Sequence, residues 1–357
     1  MHQKQIRVSR RQVLGGAAAG AVMALVSTGS RAQAGKLDVV KGTLSPLVAY
    51  AHIYCAVEKG IFAKHGIDNQ IDSVPIPVSL PLVARGEYDW GRSSNGPGYF
   101  NAVNSGLGIV GVVDRLTYIC SADNALVVGS KGYEAGLRSF ADLKGKTVGI
   151  NAPGTATDYW LSVLLTKNNM KRSDIRIVTL GYPDLLAAIS SGSADAGFMS
   201  EPLLTKAVLE GKLRVVMPVS QIAPGDNIGI MFFGRSFIQK ASGDLATRWL
   251  MAYLEGVRFV QDRANRDEVI RIVAKHTKVE NEVLSSIYDK KETWPSVEPN
   301  GRVDIEKMLK EQGQFFLQTK QVDKLPTPQE VMDTTLLERA LKRVGEVPVD
   351  KYLLCRA

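Results

Sequence analysis

Cysteine and histidine are scarce in this sequence, which limits the metal and redox chemistry that it can carry. The chain of 357 residues has three Cys and four His. Cys55, Cys120 and Cys355 fit neither a CxxC pair nor any zinc-ligand spacing, and the His residues lie far apart. We therefore expect no metal site and no cofactor. An odd number of Cys leaves at least one free thiol, and we expect Cys55 and Cys120 to be buried and unpaired.

Acidic residues are absent from the first 34 positions, where the basic residues are Lys4, Arg7, Arg10, Arg11 and Arg31. Residues 13–26 form an apolar, Ala-rich run that is too short and too rich in Gly to span a membrane. Ala32-Gln33-Ala34 has the small-x-small pattern of a cleavage site. We expect residues 1–34 to be an export signal that is cleaved after Ala34, and the mature protein to be periplasmic. Arg10-Arg11 suggests the twin-arginine route, with general secretion as the alternative.

A strong positive charge is also missing once the signal is set aside. The whole chain has 44 Lys and Arg against 36 Asp and Glu, and five of the basic residues belong to the signal. The near balance that remains argues against a nucleic-acid partner. The remaining chain of roughly 320 residues is long enough for two domains of ordinary size.

One short pattern occurs twice and predicts the architecture. Val83-x-x-Gly86-x-x-Asp89-x-Gly91 recurs as Ile189-x-x-Gly192-x-x-Asp195-x-Gly197. Each copy reads as a helix end, a Gly stop, an acidic turn and a short strand, so the chain contains two similar α/β lobes. In open α/β sheets, ligands bind outside the carboxyl ends of the strands. We therefore expect the binding site just after each copy.

The segment 146–158 predicts a strand, a turn and a helix start. Residues 146–150 read as a short buried strand, and Pro153-Gly154 then breaks the chain. Thr155 and Asp158 have the spacing of a capping box. The N–H groups at such a helix start, together with the helix dipole, bind anions.

The first lobe begins with a predicted βαβ unit: a strand at 36–41, a helix at 47–59 and a strand at 70–74. Residues 75–81 contain three Pro and are predicted to be a loop. Extended segments at 125–129 and 228–233 are predicted to cross between the lobes. The lobes are then 35–125 with 230–357, and 126–229. The tail after Gly234 is predicted to be helical and to pack on the first lobe, with Leu245, Trp249, Tyr253, Val257 and Val260 on one face.

Several motifs together resemble a known family. They are Glu58-Lys59-Gly60-Ile61-Phe62-x-x-x-Gly66-Ile67, Gly86-x-x-Asp89, Asp142-Leu143-Lys144-Gly145-Lys146, Gly192-x-x-Asp195-Ala196 and Glu201-Pro202. In these motifs the sequence resembles the periplasmic substrate-binding proteins of the nitrate, taurine and aliphatic-sulfonate ABC importers, a superfamily that includes binders of thiamine pyrimidine precursors. The resemblance covers roughly residues 37–233 and is poorly specific for the ligand.

That resemblance implies a two-lobed, α/β type II periplasmic-binding fold with hinge strands and a C-terminal helical tail. It implies no catalysis, a small organic anion (a sulfonate, a carboxylate or a nitrate-like ion) as ligand, and an ABC permease and ATPase as partners. We expect a monomer. The alternatives are a binder of a thiamine pyrimidine precursor, an enzyme of thiamine or menaquinone metabolism on the same fold, or a detached ligand sensor. The export signal argues against the enzymes.

The predicted ligand-binding residues lie at strand ends and turns that face the cleft. They are Thr43, Ser45, Arg92, Ser93, Asn95, Arg115, Asn151, Gly154, Thr155, Thr157, Tyr182 and Glu201. Arg92 is the strongest candidate, because a guanidinium can grip a carboxylate or sulfonate with two hydrogen bonds. Next to Asp114, Arg115 is expected to form a salt bridge, and Glu201 is expected to be structural. Trp160 is expected to lie in the core.

Overall fold

The computed structural model describes residues 36–290 and 293–353. In this part of the chain ten strands form two sheets of five. The strands are β1 (Asp38–Leu44), β2 (Ile67–Ser73), β3 (Trp90–Ser94), β4 (Ile109–Thr117), β5 (Asn124–Gly129), β6 (Thr147–Ile150), β7 (Arg176–Thr179), β8 (Ala196–Ser200), β9 (Leu213–Pro218) and β10 (Asn227–Gly234). The first sheet has the order β2-β1-β3-β10-β4, and the second has the order β7-β6-β8-β5-β9.

The two sheets repeat one topology, as the duplicated pattern predicts. In each sheet one strand, β1 or β6, has a parallel neighbour on both sides. The next strand in the order, β10 or β5, is antiparallel. Asp89 exchanges hydrogen bonds with the backbone of Lys41 at 2.8 Å in both directions. Asp195 does the same with Thr147 at 2.8 and 2.9 Å. The repeated Asp therefore ties the start of β3 to β1 and the start of β8 to β6, and the prediction of two similar lobes is confirmed.

The second sheet is built from one uninterrupted stretch of chain. All of its strands lie between β5 and β9, whereas the first sheet takes β10 from after that stretch. The segments predicted as crossings are themselves the strands β5 and β10, and the links between the sheets are residues 118–123 and 219–226. The extents of the two lobes given above remain predictions.

Helices surround both sheets. Those in the described residues are α1 (Ala51–Glu58), α2 (Ile61–Lys64), α3 (Ile76–Ala84), α4 (Pro97–Asn104), α5 (Ser130–Glu134), α6 (Ala156–Lys167), α7 (Tyr182–Ser191), α8 (Leu203–Leu209), α9 (Val219–Ile222), α10 (Arg235–Gln239), α11 (Asp244–Gln261), α12 (Arg266–Thr277), α13 (Asn281–Asp289), α14 (Ile305–Met308), α15 (Gln314–Gln318), α16 (Pro328–Val331) and α17 (Thr335–Val344). A π-helical turn, Leu309–Gly313, joins α14 to α15.

The tail is helical, and its predicted apolar face on α11 is buried. Leu245, Trp249, Tyr253, Val257 and Val260 all belong to the core of the first lobe, where α11 packs on α1. The tail also reaches the second lobe, which the sequence did not indicate: α13 packs on α8, and the Phe315 ring lies 5.6 Å from that of Tyr159. The tail therefore bridges both lobes.

One local prediction is wrong at residues 75–81, which form most of α3 and not a loop. Pro77 lies in the first turn, where a backbone N–H has no partner within a helix, so proline costs little there. Pro81 lies inside the helix and removes one hydrogen bond, which the buried Leu80 and Val83 offset by packing.

The cysteine predictions have mixed outcomes. Cys55 is a buried free thiol, as expected. Cys120 is disulfide-bonded, so the prediction that it is unpaired is wrong. Spacing alone cannot reveal a pairing between distant parts of a chain. The predicted signal at 1–34 and Cys355 lie outside the described residues. In the part of the chain that is described, no helix is long and apolar enough to cross a membrane.

Candidate functional site

A cavity of about 450 Å³ lies between the two sheets, at the strand ends predicted to bind ligand. The first lobe lines it with the end of β3 and the start of α4, and the second lobe with the turn after β6 and the starts of α6 and α7. The lining residues are Leu80, Ser93, Ser94, Asn95, Gly96, Pro97, Gly98, Tyr99, Asn124, Asn151, Gly154, Thr155, Ala156, Trp160, Tyr182 and Ile228. Hydroxyl, amide and ring groups dominate this lining.

The structure divides the predicted residues into two groups. Those that line the cavity are Ser93, Asn95, Asn151, Gly154, Thr155 and Tyr182. Those that are absent from its lining are Thr43, Ser45, Arg92, Arg115, Thr157 and Glu201. Contact between any of them and a ligand remains a prediction.

Arg92 is fully buried and does not line the cavity, so contact between its guanidinium and a ligand stays a prediction. Its Nη2 donates to Ser45 Oγ at 2.5 Å and to the Val74 carbonyl at 2.7 Å. The side chain leaves β3 on the same face as Trp90, two residues earlier, and its Cζ lies 6.0 Å from the ring centre of Tyr50. Arg92 therefore lies directly behind Ser93, which lines the cavity.

Arg115 also lies near the Tyr50 ring, with its Cζ 5.9 Å from the ring centre. Its Nη2 approaches the Ile228 carbonyl at 3.4 Å. The expected salt bridge of Arg115, local or between the lobes, is not formed among the described residues. Asp114 cannot supply a local one, because adjacent residues of a strand point to opposite faces. The Asp114 carboxyl group instead accepts hydrogen bonds, including those from the Leu116 N–H at 2.9 Å and Asn227 Nδ2 at 2.6 Å.

The two buried guanidinium groups differ in their electrostatic surroundings. Burial alone would lower the pKa of Arg115, but Tyr50, Asp123 and Asp114 raise it. Among the described residues, neither forms an ion pair, and Nε and Nη1 of Arg92 and Nε of Arg115 have no hydrogen-bond partner. Burying a charge without a partner costs free energy. The N-terminus of α4, which opens on the cavity nearby, has no acidic residue in its first turn. This side of the cavity is therefore electropositive.

The start of α6 differs from the predicted capping box. Thr155 is the N-cap residue but makes no capping hydrogen bond, and its Oγ1 lies 2.6 Å from Asn151 Oδ1. Thr157 Oγ1 accepts a hydrogen bond from the Asn151 N–H at 3.1 Å, which joins the two ends of the turn. Asp158 accepts from the Gly154 N–H at 3.0 Å. The Asp158 carboxylate, which also pairs with Arg172 at 2.8 Å, therefore occupies one N–H group of this turn, and anion binding at this helix start remains a prediction.

The other predicted residues behind the cavity support the framework. Thr43 is fully buried and shares a hydrogen bond with Ser79 of α3 at 2.5 Å. Glu201 accepts from the N–H and the hydroxyl of Thr205 at 3.0 and 2.8 Å, which fits its expected structural role at the start of α8. Burial raises the pKa of Glu201 to about 7.

Sequence reasoning missed several residues of the lining. Gly96-Pro97-Gly98 follows β3 as the same strand–turn–helix signal that was recognised in the second lobe, so it could have been found. Asn124 begins β5 and accepts a hydrogen bond from Tyr182 at 3.4 Å. Trp160 is buried as expected but also lines the cavity, a dual position that helical spacing cannot reveal.

The family of the chain is shown by its sequence. A family model described as NMT1/THI5 like matches residues 48–265, which is more than half of the chain. The chain belongs to the NMT1/THI5-like family. A relative from Brucella abortus (strain 2308), named "putative binding protein", is 25% identical over 267 residues, with 74% of this chain and 79% of the relative covered.

Solved structures similar to this NMT1/THI5-like chain show the fold. The periplasmic aliphatic sulphonate binding protein SsuA from Escherichia coli matches with a TM-score of 0.69 at 19% identity, over 83% of this chain and 92% of that one. The periplasmic nitrate-binding protein NrtA from Synechocystis PCC 6803 matches with a TM-score of 0.68 at 14% identity, over 89% and 91%. The chain therefore has the two-lobed α/β fold of periplasmic binding proteins.

Proposed function

We propose that this protein is the solute-binding component of an ABC importer and captures a small organic anion between its lobes. The observation that carries the proposal is the cavity at the strand ends of both sheets, lined by residues of both lobes. Such a site couples binding to the closure of one lobe on the other. The similar proteins SsuA and NrtA, which are named for binding sulphonates and nitrate, support this function.

The buried arginine beside the cavity supports a negatively charged solute. Arg92, which is adjacent to Ser93 of the lining, forms no ion pair among the described residues, and α4 directs its positive end at the cavity. An anion in the cavity would supply the missing countercharge. A sulfonate, a carboxylate or a nitrate-like ion meets this requirement, and the lining of hydroxyl and amide groups can complete its hydrogen bonds.

Location and partners are part of the proposal. We propose that residues 1–34 direct export to the periplasm, that cleavage follows Ala34, and that the mature monomer delivers its solute to a membrane permease driven by an ATPase. Arg10-Arg11 supports the twin-arginine route. Recovery of the mature protein in the periplasmic fraction, with Gly35 at its N-terminus, would test both export and cleavage.

A thermal-shift screen of sulfonates, carboxylates, nitrate and neutral pyrimidines tests the function. We expect anions to raise the melting temperature through binding to the folded state. Ser94→Trp should abolish the effect, because Ser94 is exposed and lines the cavity. Ser105→Trp, at an exposed position at the end of α4 outside the lining, is the matched control and should retain it. A neutral or cationic compound as the tightest ligand would favour the pyrimidine-precursor alternative.

A further inference from the structure

The side-chain oxygen of Asn95 accepts no hydrogen bond from the described residues. Asn95 is 5% exposed, and its Nδ2 donates to the Asn227 backbone carbonyl at 2.9 Å and also to Asn227 Oδ1. Because a backbone carbonyl can only accept, the nitrogen of the Asn95 amide must face Asn227. Its Oδ1 therefore faces away, and no donor among the described residues reaches it. Asn95 lines the cavity.

The orientation of the Asn95 amide is determined by hydrogen bonds of Asn227 and Asp114 in the first lobe. Asn227 Nδ2 donates to Asp114 Oδ1 at 2.6 Å, so the Asn227 amide has its oxygen free to accept from Asn95. The Asp114 carboxyl group also accepts from the Leu116 N–H at 2.9 Å and from the Glu298 N–H at 2.6 Å. Because backbone N–H groups can only donate, both carboxyl oxygens of Asp114 must act as acceptors in these hydrogen bonds. The direction of every hydrogen bond in this chain is fixed, and it ends at Asn95 Oδ1.

In the second lobe the unsatisfied group is a hydrogen-bond donor and not an acceptor. Trp160 is 2% exposed, lines the cavity, and has no acceptor for its Nε1–H among the described residues. An indole N–H is a donor only. Its ring lies between those of Tyr118 and Phe198, with centroids 5.9 and 5.7 Å away, so packing holds its orientation. Two residues that line the same cavity therefore each hold a buried, unsatisfied polar atom: an acceptor in the first lobe and a donor in the second.

We propose that the ligand carries an N–H or O–H donor in addition to its acidic group. The donor meets Asn95 Oδ1, and an acceptor atom of the ligand meets Trp160 Nε1. Amino- and hydroxy-substituted organic acids have both groups, whereas nitrate and unsubstituted sulfonates or carboxylates leave Asn95 without a partner. A buried polar group left unpaired discriminates strongly against a ligand that lacks its partner. This inference rests on the proposed function, since it assumes that an anion binds in this cavity.

Matched pairs of acids, which differ in one donor group, test the proposal by calorimetry. The probes are taurine with ethanesulfonate, β-alanine with propionate, and 4-aminobenzoate with benzoate, together with nitrate. In every pair that binds, we expect the amino member to bind at least about tenfold more tightly. Equal or tighter binding of the unsubstituted members or of nitrate would overturn the inference and leave the proposed function intact. Binding of none of these acids at millimolar concentration would overturn both.

Two variants separate the roles of the two side chains. Asn95→Ala should remove the difference between the members of a pair, because it removes the acceptor that detects the amino group. Trp160→Phe should weaken both members alike, by about three- to tenfold, and should keep their difference. Trp294→Phe, at a tryptophan that is equally buried but lies outside the cavity lining, is the matched control. A difference that survives in Asn95→Ala would contradict the assignment of the donor to this residue. If that variant does not fold, the pairs measured on the natural protein still decide the proposal.

Discussion

At the scale of single residues, Arg92 combines a positive charge with complete burial, which is an unfavourable combination. The side chain is fully buried, donates only from Nη2, and has no acidic partner among the described residues. A charge in this position costs free energy in the unliganded protein. We infer that its benefit appears when an anion binds on the other side of Ser93.

Replacing Arg92 should therefore affect binding more than folding. We expect Arg92→Met to weaken the binding of an anion about 10- to 100-fold, because a charge would contribute about 2 kcal/mol if the anion lay about 8 Å from it at an effective dielectric constant of about 20. The free energy of unfolding should change by less than about 1 kcal/mol, since the two lost hydrogen bonds are offset by removing a buried charge.

Calorimetry and urea denaturation measure the two effects of this substitution. Arg85→Met, at an exposed arginine that pairs with Glu87, should change neither quantity appreciably. A loss of stability in Arg92→Met as large as its loss of binding free energy would show that the arginine has a structural role alone.

A second residue-scale prediction concerns pH. Burial raises the pKa of Glu201 from its ordinary value of 4.5 to about 7. The folded protein therefore holds a proton that the unfolded chain has already released, so this contribution to stability is complete below about pH 4.5 and is lost as the pH rises through 7. Between pH 6.5 and 8.5 we expect the free energy of unfolding to fall by about 1 kcal/mol from this group.

Urea denaturation at the two pH values tests the effect. Glu201→Gln should have a smaller pH dependence, and Glu282→Gln, at an exposed position on α13, should keep that of the natural protein. The buried His52 does not oppose the effect in this window: burial lowers its pKa to about 3, so it affects stability only below its ordinary value of 6.5. Identical slopes for the natural protein and Glu201→Gln would contradict the prediction.

At the scale of elements, the turn between β6 and α6 connects the lobes to the tail. Gly154 has a φ of +72°, and a Cβ atom there would lie 1.9 Å from Oε1 of Gln321. Gln321 follows α15 in the tail, whereas Gly154 belongs to the cavity lining. The lack of a side chain at 154 therefore allows the tail to approach the cavity closely.

Gly154→Ala should reduce stability for two reasons, the left-handed backbone and the contact with Gln321. We expect a loss of about 1–2 kcal/mol, and a smaller loss in the background of Gln321→Ala, with a coupling energy of about 0.5–1 kcal/mol in the double-mutant cycle. Gly145→Ala is the matched control, because Gly145 has a similar φ of +75° and no atom near its Cβ position. Its cost should not depend on Gln321, and additive effects of Gly154→Ala and Gln321→Ala would contradict the contact.

Elements were predictable where a local pattern decides them. The duplicated Asp89 and Asp195 predicted both lobes because the acidic turn has the same backbone partner in each, and helical spacing predicted the buried face of α11. Burial of Arg92 was not predictable, because Tyr50 and Ser45 cover it from another part of the chain. Thr155 failed as a capping residue because the nearby Asn151 competes for its hydroxyl group, a competition that depends on the folded turn.

At the scale of the whole molecule, the tail that packs on the first lobe also contacts the second lobe. The tail contacts the second lobe through Phe315 and Tyr159, and through an ion pair between Glu280 and Lys206 at 3.2 Å. We expect the tightest anion from the screen to reduce the radius of gyration measured by X-ray scattering. It should also raise stability by about 2.7 kcal/mol at a concentration 100 times its Kd. An unchanged radius at saturation would instead indicate a rigid module.

The position of β10 has a consequence for synthesis of the chain. This strand separates β3 from β4 in the first sheet, and β4 has no other strand partner among the described residues. A ribosome releases residues 124–218, with every strand of the second sheet, before it releases β10. The second lobe can therefore form while it is still attached to the ribosome, whereas β4 waits for more than a hundred residues for its neighbour. A chain that ends at residue 226 and is released from the ribosome should thus contain a protease-resistant second lobe attached to an unfinished first one.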